Sequence, residues 1–111
     1  MQVSIKAHCP CGEVQQGDIV LAIAPEDALI VGMVKKFLAL PDQHLFAEVD
    51  KYKPAPGTAE AVDTWLVDSP VSVFIDLARV RSNLTWAKRG NGRIKVLVPT
   101  ALPWMIEPRF D

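Results

Sequence analysis

The sequence lacks the long apolar segments that would place a protein across a membrane. No apolar run reaches the roughly 18–20 residues that a membrane-spanning helix needs. The N-terminal stretch MQVSIKAHCPCGEV also lacks the apolar core of a secretion signal. Both absences predict a cytoplasmic or nuclear protein with no membrane partner.

Catalytic signatures are missing as well. The chain contains no G-x-S-x-G, no Walker-type Gly-Lys-Ser/Thr, no H-E-x-x-H and no dinucleotide fingerprint. Two histidines are few for acid–base chemistry, since His8 lies in the N-terminal segment and His44 follows a turn without visible catalytic partners. Asp18, just before an apolar run, is expected to hydrogen-bond its own turn. These features favour a protein that is not an enzyme.

Cysteine is scarce. Cys9 and Cys11 are the only two, and a disulfide across one intervening residue would close a small, strained ring that a reducing compartment disfavours. Zinc prefers Cys and His ligands, but the C-x-x-C spacing is absent and only His44 remains as a further strong ligand. We expect plain thiols in a turn and no cofactor, with zinc at His8, Cys9 and Cys11 as the alternative.

Strand signals are abundant by contrast. The 111 residues fit one domain, 1–111, that can bury a core without metals or disulfides. Apolar and β-branched segments alternate with turns rich in Gly, Pro, Asn and Asp. Asp68-Ser69-Pro70 ends one segment, 64–67, which is expected at a sheet edge. We predict strands over residues 3–6, 18–23, 29–38, 45–53, 64–67, 71–76, 85–88 and 93–98.

The segments between and around these strands also carry expectations. Residues 1–14 form an N-terminal segment, 54–63 a long surface loop and 99–111 an irregular C-terminal tail. Residues 77–83 fit either a 3₁₀ turn or a strand that runs out. Gly90-Asn91-Gly92 supplies the positive φ angles that a tight hairpin turn requires.

One segment fits two kinds of secondary structure. Residues 28–40 can be written as an amphipathic helix, but their β-branched content favours a strand. Gly32 would then mark a bulge or bend in that strand. The whole pattern predicts a mainly all-β fold, a small antiparallel barrel or roll.

The charge distribution is uneven, although 12 basic residues nearly balance 13 acidic ones. Between positions 79 and 95 the chain carries six basic residues and no acidic one. Such a stretch indicates a basic flank for an anionic partner, or else a solvated polar face. The six are Arg79, Arg81, Lys88, Arg89, Arg93 and Lys95.

Three aromatic residues lie on separate predicted strands near this flank: Tyr52, Trp65 and Trp86. If they converge, they form either a cage for a cationic side chain or a platform on which unpaired bases stack. The opposing interpretation places Trp86 in the core. We predict a ligand-binding set that comprises Tyr52, Trp65, Trp86, Arg79, Arg81, Lys88, Arg89 and Arg93.

The segments QQGDIVLA, LIVGMVKKFLA and FAEVDKYKPAP resemble the opening strands of a bromo-adjacent homology (BAH) domain. The matching elements are Gly17-Asp18, Val31-Gly32-Met33-Val34 and Tyr52-Lys53-Pro54. Together with VFIDLARVRS, the layout is also similar to BAH-like barrel segments in proteins of fungal transposable elements. The similarity covers residues 15–98 and implies an SH3-like barrel that binds protein or chromatin and is not a catalyst.

A second resemblance is to the MazF/PemK toxin endoribonucleases, which are also SH3-like barrels. The shared features are the opening GDIV at 17–20 and the segment LARVRSNLTWAKRGNG, which is similar to the late basic segment of that family. The family's Arg-Pro element would fall where this chain has PEDALI, so its catalytic role is not carried over.

These observations predict a non-enzymatic interaction module that binds a protein or peptide segment, or nucleic acid, through aromatic residues and a basic flank. Two alternatives remain. One is a MazF/PemK-like endoribonuclease. The other is an oligomer-forming structural protein, because 50% apolar residues together with nine prolines can leave an exposed apolar patch.

Overall fold

Strands account for nearly all regular structure in the computed structural model, which describes residues 2–9, 12–26, 28–55 and 64–97. The helical element within those ranges is a single 3₁₀ turn, Leu77–Arg79. No helix among them is long and apolar enough to span a membrane. The all-β prediction is confirmed. The strands are β1 (Gln2–Ser4), β2 (Lys6–Cys9), β3 (Gly12–Gln15), β4 (Ile19–Ile23), β5 (Leu29–Ala39), β6 (Leu45–Pro54), β7 (Thr64–Asp76), β8 (Val80–Asn83), β9 (Thr85–Gly90) and β10 (Arg93–Leu97).

The main sheet is antiparallel and rolled. Its strand order is β8-β4-β5-β6-β7-β10-β9, with β1 paired to β5, while β2 and β3 form a separate hairpin. The two end strands, β8 and β9, are separated in the chain by Leu84 alone. The N–H of Leu84 donates to the carbonyl oxygen of Ile19 at 2.8 Å. Because the ends of the sheet are neighbours in the chain, the sheet must curl round to bring them together, as the predicted roll requires.

Strand β4 is covered on both faces. All five of its residues are buried, and the first four alternate between two core clusters. Val20 and Ala22 belong to the first cluster, Ile19 and Leu21 to the second. A continuous apolar run is typical of a strand that is buried on both sides, because neither face needs polar residues.

The two clusters bring distant parts of the chain together through burial of apolar surface. The first core cluster joins the body of the sheet to the β2–β3 hairpin, and the second joins it to β10. The first comprises Val14, Val20, Ala22, Ala24, Ile30, Val34, Phe37, Ala47, Val49, Ile75, Leu77 and Val80. The second comprises Ile19, Leu21, Val31, Tyr52, Trp65, Leu84, Ile94 and Val96. We use "body" for β4, β5, β6, residues 71–76 of β7, the 3₁₀ turn and β8.

Residues 28–40 form a strand for most of their length, as their β-branched content predicted, but the bend expected at Gly32 is not there. The register between β5 and β6 shifts further along, between Val34 and Lys36. Gly32 is needed for another reason: a Cβ atom at this position would collide with the Asp50 carbonyl oxygen and the Val49 side chain. Close approach between strands, and not curvature, requires this glycine.

Residues 64–67 and 71–76 belong to one continuous strand, β7, instead of the two that were predicted. The register with β6 nevertheless shifts around the predicted break, since Lys51 lies opposite Val71 and Lys53 opposite Leu66. Residues 64–66 also pair with β10, so this part of β7 lies inside the sheet and not at the edge that was expected.

The structure describes some of the remaining predicted segments and not others. Residues 77–83 contain both predicted alternatives, the 3₁₀ turn followed by β8. The N-terminal segment contributes β1 and a β2–β3 hairpin that was not predicted. Pro54, the first residue of the predicted loop, is the last residue of β6. Residues 56–63 of that loop and the tail from residue 98 lie outside the described ranges.

Candidate ligand-binding cleft

The hairpin formed by β9 and β10 carries most of the candidate site. Its tip, Asn91-Gly92, has φ angles of 52° and 67°, the left-handed values that a tight two-residue turn needs. The hairpin predicted from Gly90-Asn91-Gly92 is confirmed. Every residue of β9 is exposed, whereas β10 buries Ile94 and Val96 in the second core cluster. The hairpin is therefore attached to the sheet through β10, both by its backbone pairing with β7 and by its buried face.

A cleft with a volume of about 320 Å³ lies between this hairpin and the body. Trp86 pairs with Val96 and Lys88 with Ile94, so these two β9 side chains share a face with the two buried residues of β10. The cleft is near the lower end of the range, about 300–1,000 Å³, in which proteins hold small ligands. It is lined by Ile19, Met33, Tyr52, Val67, Trp86, Lys88, Gly90, Gly92, Arg93 and Ile94.

Four of the eight predicted site residues meet in the cleft: Tyr52, Trp86, Lys88 and Arg93. Trp86 is 38% exposed, which leaves its ring open to a ligand, whereas Tyr52 is only 6% exposed. Burial raises the pKa of Tyr52, and the nearby Asp50 carboxylate raises it further. The Tyr52 phenol is therefore neutral at physiological pH.

Trp65 is not part of the cleft lining. It is 3% exposed and packs in the second core cluster, in the same cluster as Tyr52. It pairs with Pro54 on one side and with Ile94 on the other. The three aromatic residues thus share one region of the molecule, but only two of them border the cleft.

Arg79 and Arg81 are used by the body. Arg79 Nη1 donates to the carbonyl oxygen of Ala24 at 3.2 Å and lies 3.5 Å from that of Ile23. Arg81 lies on β8, and its Nε atom is buried with no hydrogen-bond partner among the described residues. Neither arginine lines the cleft. The amino end of the predicted basic flank is therefore held against β4.

Arg89 and Lys95 lie beside a second, smaller cavity on the hairpin, with a volume of about 190 Å³. Lys95 pairs with Ala87, next to the Trp86–Val96 pair. Because neighbouring side chains on a strand point to opposite faces, Lys95 and Ala87 point away from the cleft. Trp86 borders both cavities. Leu97 also lines the smaller one and is 72% exposed.

The basic side chains of the hairpin and the body differ in their ion pairing. Lys35 and Lys36 in the body pair with Glu48, at 3.8 and 3.6 Å. Within the described part of the chain, Lys88, Arg89 and Arg93 form no such pair.

Two carboxylates flank the cleft. The Asp68 side chain fills the space that a side chain at Gly92 would need, and Asp50 acts on Tyr52. The cleft thus has mainly apolar walls, with the cations Lys88 and Arg93 on the hairpin side. One carboxylate lies near Gly92 and another near Tyr52.

A further cavity, about 520 Å³, contains both histidines. The sequence connects His8 and His44 only as candidate zinc ligands, and their proximity depends on the folding of β2 against the β5–β6 connection. His44 Nδ1 lies 3.3 Å from Asp42 Oδ2, and its ring stacks on Phe46 with centroids 5.7 Å apart. The cavity is lined by His8, Cys9, Asp42, Gln43, His44, Leu45, Asp76, Leu77 and Ala78.

The acids of this histidine cavity serve local turns. Asp42 accepts the backbone N–H of His44 at 3.0 Å, which lowers the pKa of its carboxyl, with the His44 side chain as a second cause. Asp76 caps the 3₁₀ turn by accepting the N–H of Ala78. Asp18 behaves as predicted, since its Oδ2 accepts the N–H of Gln15 at 2.9 Å.

Cys9 is disulfide-bonded, so the expectation of a free thiol at this position is wrong. Cys11 lies outside the described residues. Within the described ranges, no group of three or more His, Cys, Asp or Glu side chains is placed to hold a metal ion. A zinc site at His8, Cys9 and Cys11 would have to dispense with the sulfur of Cys9 while it is bonded to another sulfur.

Comparison with known proteins yields no match: no family model, no curated protein and no solved structure is similar to this chain. The resemblances to BAH domains and to MazF/PemK toxins therefore stay predictions. Any functional assignment must come from the cleft itself.

Proposed function

We propose that this chain is a non-enzymatic interaction module, built on an SH3-like or BAH-like barrel, that binds a protein segment or nucleic acid in the cleft. The observation that carries the proposal is the meeting of Tyr52 and Trp86 with Lys88 and Arg93 in one cavity. These residues come from β6 and from both strands of the hairpin, so the fold brings them together from distant positions. The rolled antiparallel sheet supports the proposed barrel.

The balance of burial and exposure supports a binding role for the hairpin. A surface hairpin that served only the fold would need nothing more than a buried apolar face. Ile94 and Val96 already provide that face. Trp86 and Lys88 add an exposed aromatic ring and a charge beside that face. Aromatic residues and arginine are enriched where proteins bind partners, because they combine large contact area with hydrogen bonding.

The histidine cavity offers less for catalysis. Its acids are engaged in turns, and Cys9, its one sulfur-containing residue, is disulfide-bonded. A disulfide sulfur is not a thiolate nucleophile. For this reason we place the function in the cleft and propose a module without enzymatic activity. The proposed cytoplasmic or nuclear location rests on the sequence alone, and the disulfide at Cys9 argues against a reducing compartment.

The test compares two double variants that remove the same charge. Lys88→Gln with Arg93→Gln removes two cations from the cleft, and Lys35→Gln with Lys36→Gln removes two from the body. The parent and both variants are presented at low salt with single-stranded DNA and RNA, duplex DNA, poly-glutamate and histone-type peptides. We expect the parent to bind at least one of these ligands and only the cleft variant to lose affinity.

Three results would overturn the proposal. The first is the absence of binding to every ligand at low salt. The second is turnover of RNA by the parent, which would favour the endoribonuclease alternative and is followed on the same samples by gel electrophoresis. The third is an equal loss of affinity in both variants, which would assign the binding to overall charge and not to the cleft.

A further inference from the structure

We infer that the ligand of the cleft is single-stranded nucleic acid, with a base stacked on Trp86 and phosphates held by the cations of the β9–β10 hairpin. This inference rests on the proposed function and narrows it to one class of partner. The starting point is Trp86, which is exposed over more than a third of its surface and borders a cavity on each side. A flat aromatic surface beside an apolar cavity suits a nucleobase, since every base has a face that can stack.

The charges of the hairpin point to an anionic polymer. Residues 85–97 contain Lys88, Arg89, Arg93 and Lys95 and no acidic residue. Lys88 and Arg93 line the cleft, whereas Arg89 lines the smaller cavity on the other side of Trp86. A single strand of nucleic acid that crosses the hairpin at Trp86 would therefore meet a cation before and after the stacked base. Cations on both sides of the aromatic ring suit a ligand with a charge on every repeating unit.

A cationic side chain fits this cleft poorly. An aromatic cage would have to bring the ligand charge into a cavity that Lys88 and Arg93 already line, at a cost from like-charge repulsion. Trp65, the third aromatic residue that a cage would need, is buried in the core. An acidic peptide would satisfy the cations but would supply no planar group for Trp86.

Duplex DNA fits poorly as well. A two-stranded ribbon can enter a major groove and read base edges, but here one face of the ribbon is packed on the sheet through Ile94 and Val96. Trp86 and Lys88 lie on that same face, toward the cleft, where a paired and stacked base cannot enter. Only an unpaired base can be turned into the cavity.

The Asp68 carboxylate provides a further test, because its negative charge repels an anionic ligand. Its side chain lies against Gly92, next to Arg93, and is exposed. Removal of this charge should therefore strengthen the binding of a polyanion and leave the fold in place. We expect Asp68→Asn to raise the affinity for single strands several-fold, with Asp42→Asn in the distant histidine cavity as its matched control.

The experiment measures fluorescence anisotropy of a labelled oligo-dT strand with the full chain at two salt concentrations. Trp86→Ala should weaken binding about ten-fold or more, as for loss of a stacked base, while Trp86→Phe keeps most of the affinity. Phe74→Ala removes an aromatic side chain that is 63% exposed and lies outside the cleft, and it should change nothing. Lys88→Gln and Arg93→Gln should each flatten the salt dependence by about 0.7 in the log–log slope.

Competition decides between ligand classes. Unlabelled oligo-dT should displace the label at lower concentrations than duplex DNA or poly-glutamate of equal charge. Equal or better displacement by poly-glutamate or duplex, or full affinity in Trp86→Ala, overturns the inference. If poly-glutamate binds and single strands do not, the proposed module stands and only its ligand is wrong; if nothing binds, both proposals fail. Should Trp86→Ala fail to fold, the Trp86→Phe, Lys88→Gln and Asp68→Asn variants still decide the question.

Discussion

The body of the sheet and the β9–β10 hairpin use the same residue types in opposite ways. In the body, β4 is buried in full and the basic residue Arg79 donates to backbone carbonyl groups of the chain. In the hairpin, β9 is exposed in full, and Lys88, Arg89 and Arg93 form no ion pair with any described part of the chain. The acid-free basic stretch 79–95 is therefore divided between a part that stabilises the fold and a part that lies on the surface.

This difference shows that composition alone does not define a binding flank. Basic residues next to a buried strand can satisfy carbonyl groups that would otherwise lack a donor. Basic residues that form no ion pair within the described chain, such as Lys88 and Arg93 of the hairpin, are open to water or a ligand. The boundary between the two uses lies at Leu84, where the chain leaves the body.

The largest expected effect is a loss of stability on replacing a glycine, and it differs between Gly32 in the body and Gly92 in the hairpin. In Gly32→Ala the new methyl group meets the Asp50 backbone, which cannot move without shifting β6, and we expect a loss of about 3 kcal/mol in the free energy of unfolding. In Gly92→Ala the methyl group meets the Asp68 side chain, which can rotate, so the main cost is the positive φ, about 1–2 kcal/mol. Urea denaturation of both variants measures the difference. An equal or larger loss for Gly92→Ala would contradict the steric account of Gly32.

A smaller effect distinguishes the two uses of arginine. Arg79→Met loses its hydrogen bonds to the carbonyl groups that end β4 and should cost about 1–2 kcal/mol of stability without altering ligand affinity. Arg93→Met should change stability by no more than about 0.5 kcal/mol, as for other surface positions. Denaturation and binding measured on the same preparations give both quantities. If Arg93→Met destabilises as much as Arg79→Met, the hairpin cation serves the fold and the division between the regions is wrong.

The smallest expected effect concerns Tyr52, where the body meets the cleft. Because burial raises the pKa of Tyr52 in the folded state, the unfolded chain loses the phenolic proton first as the pH rises past about 10. Stability is therefore complete below that pH and falls above it. Tyr52→Phe should lack this part of the alkaline loss. The comparison is made by urea denaturation of parent and variant between neutral and alkaline pH.

The same residue offers a direct readout, since Tyr52 is the only tyrosine in the chain. Phenolate absorbance then follows one group, and an anionic ligand in the cleft should raise the pKa of Tyr52 further. Parallel alkaline losses in parent and Tyr52→Phe would show that other groups, such as the lysines, account for the whole effect.

Local chemistry decided which features were predictable from the sequence. Asn91-Gly92 was predictable because the turn geometry depends on those residues themselves, and Asp18 because it bonds to a neighbour in the chain. Gly32 was misread because its constraint, the Asp50 carbonyl, comes from another strand.

The candidate site was predictable as a set of residue types but not as a place. Trp65 and Trp86 look alike in sequence, and only the packing of β10 against β7 buries the first and leaves the second exposed. The difference between Arg79 and Arg93 likewise depends on their neighbours in space. The meeting of His8 and His44 in one cavity has no local signal in the sequence.

The single-residue joint at Leu84 has a consequence for how such a chain tolerates insertions and deletions. Side chains alternate along a strand, so one residue added or removed between β8 and β9 exchanges inward and outward positions on one side of the joint. Trp86 and Lys88 would turn away from the cleft, or Val80 would leave the core. The hairpin tip is less restricted at Asn91, which is exposed, than at Gly92, whose carbonyl oxygen accepts the N–H of Val67 at 2.8 Å. Changes in chain length are therefore better tolerated beside Asn91 than at the joint, which keeps a fixed length.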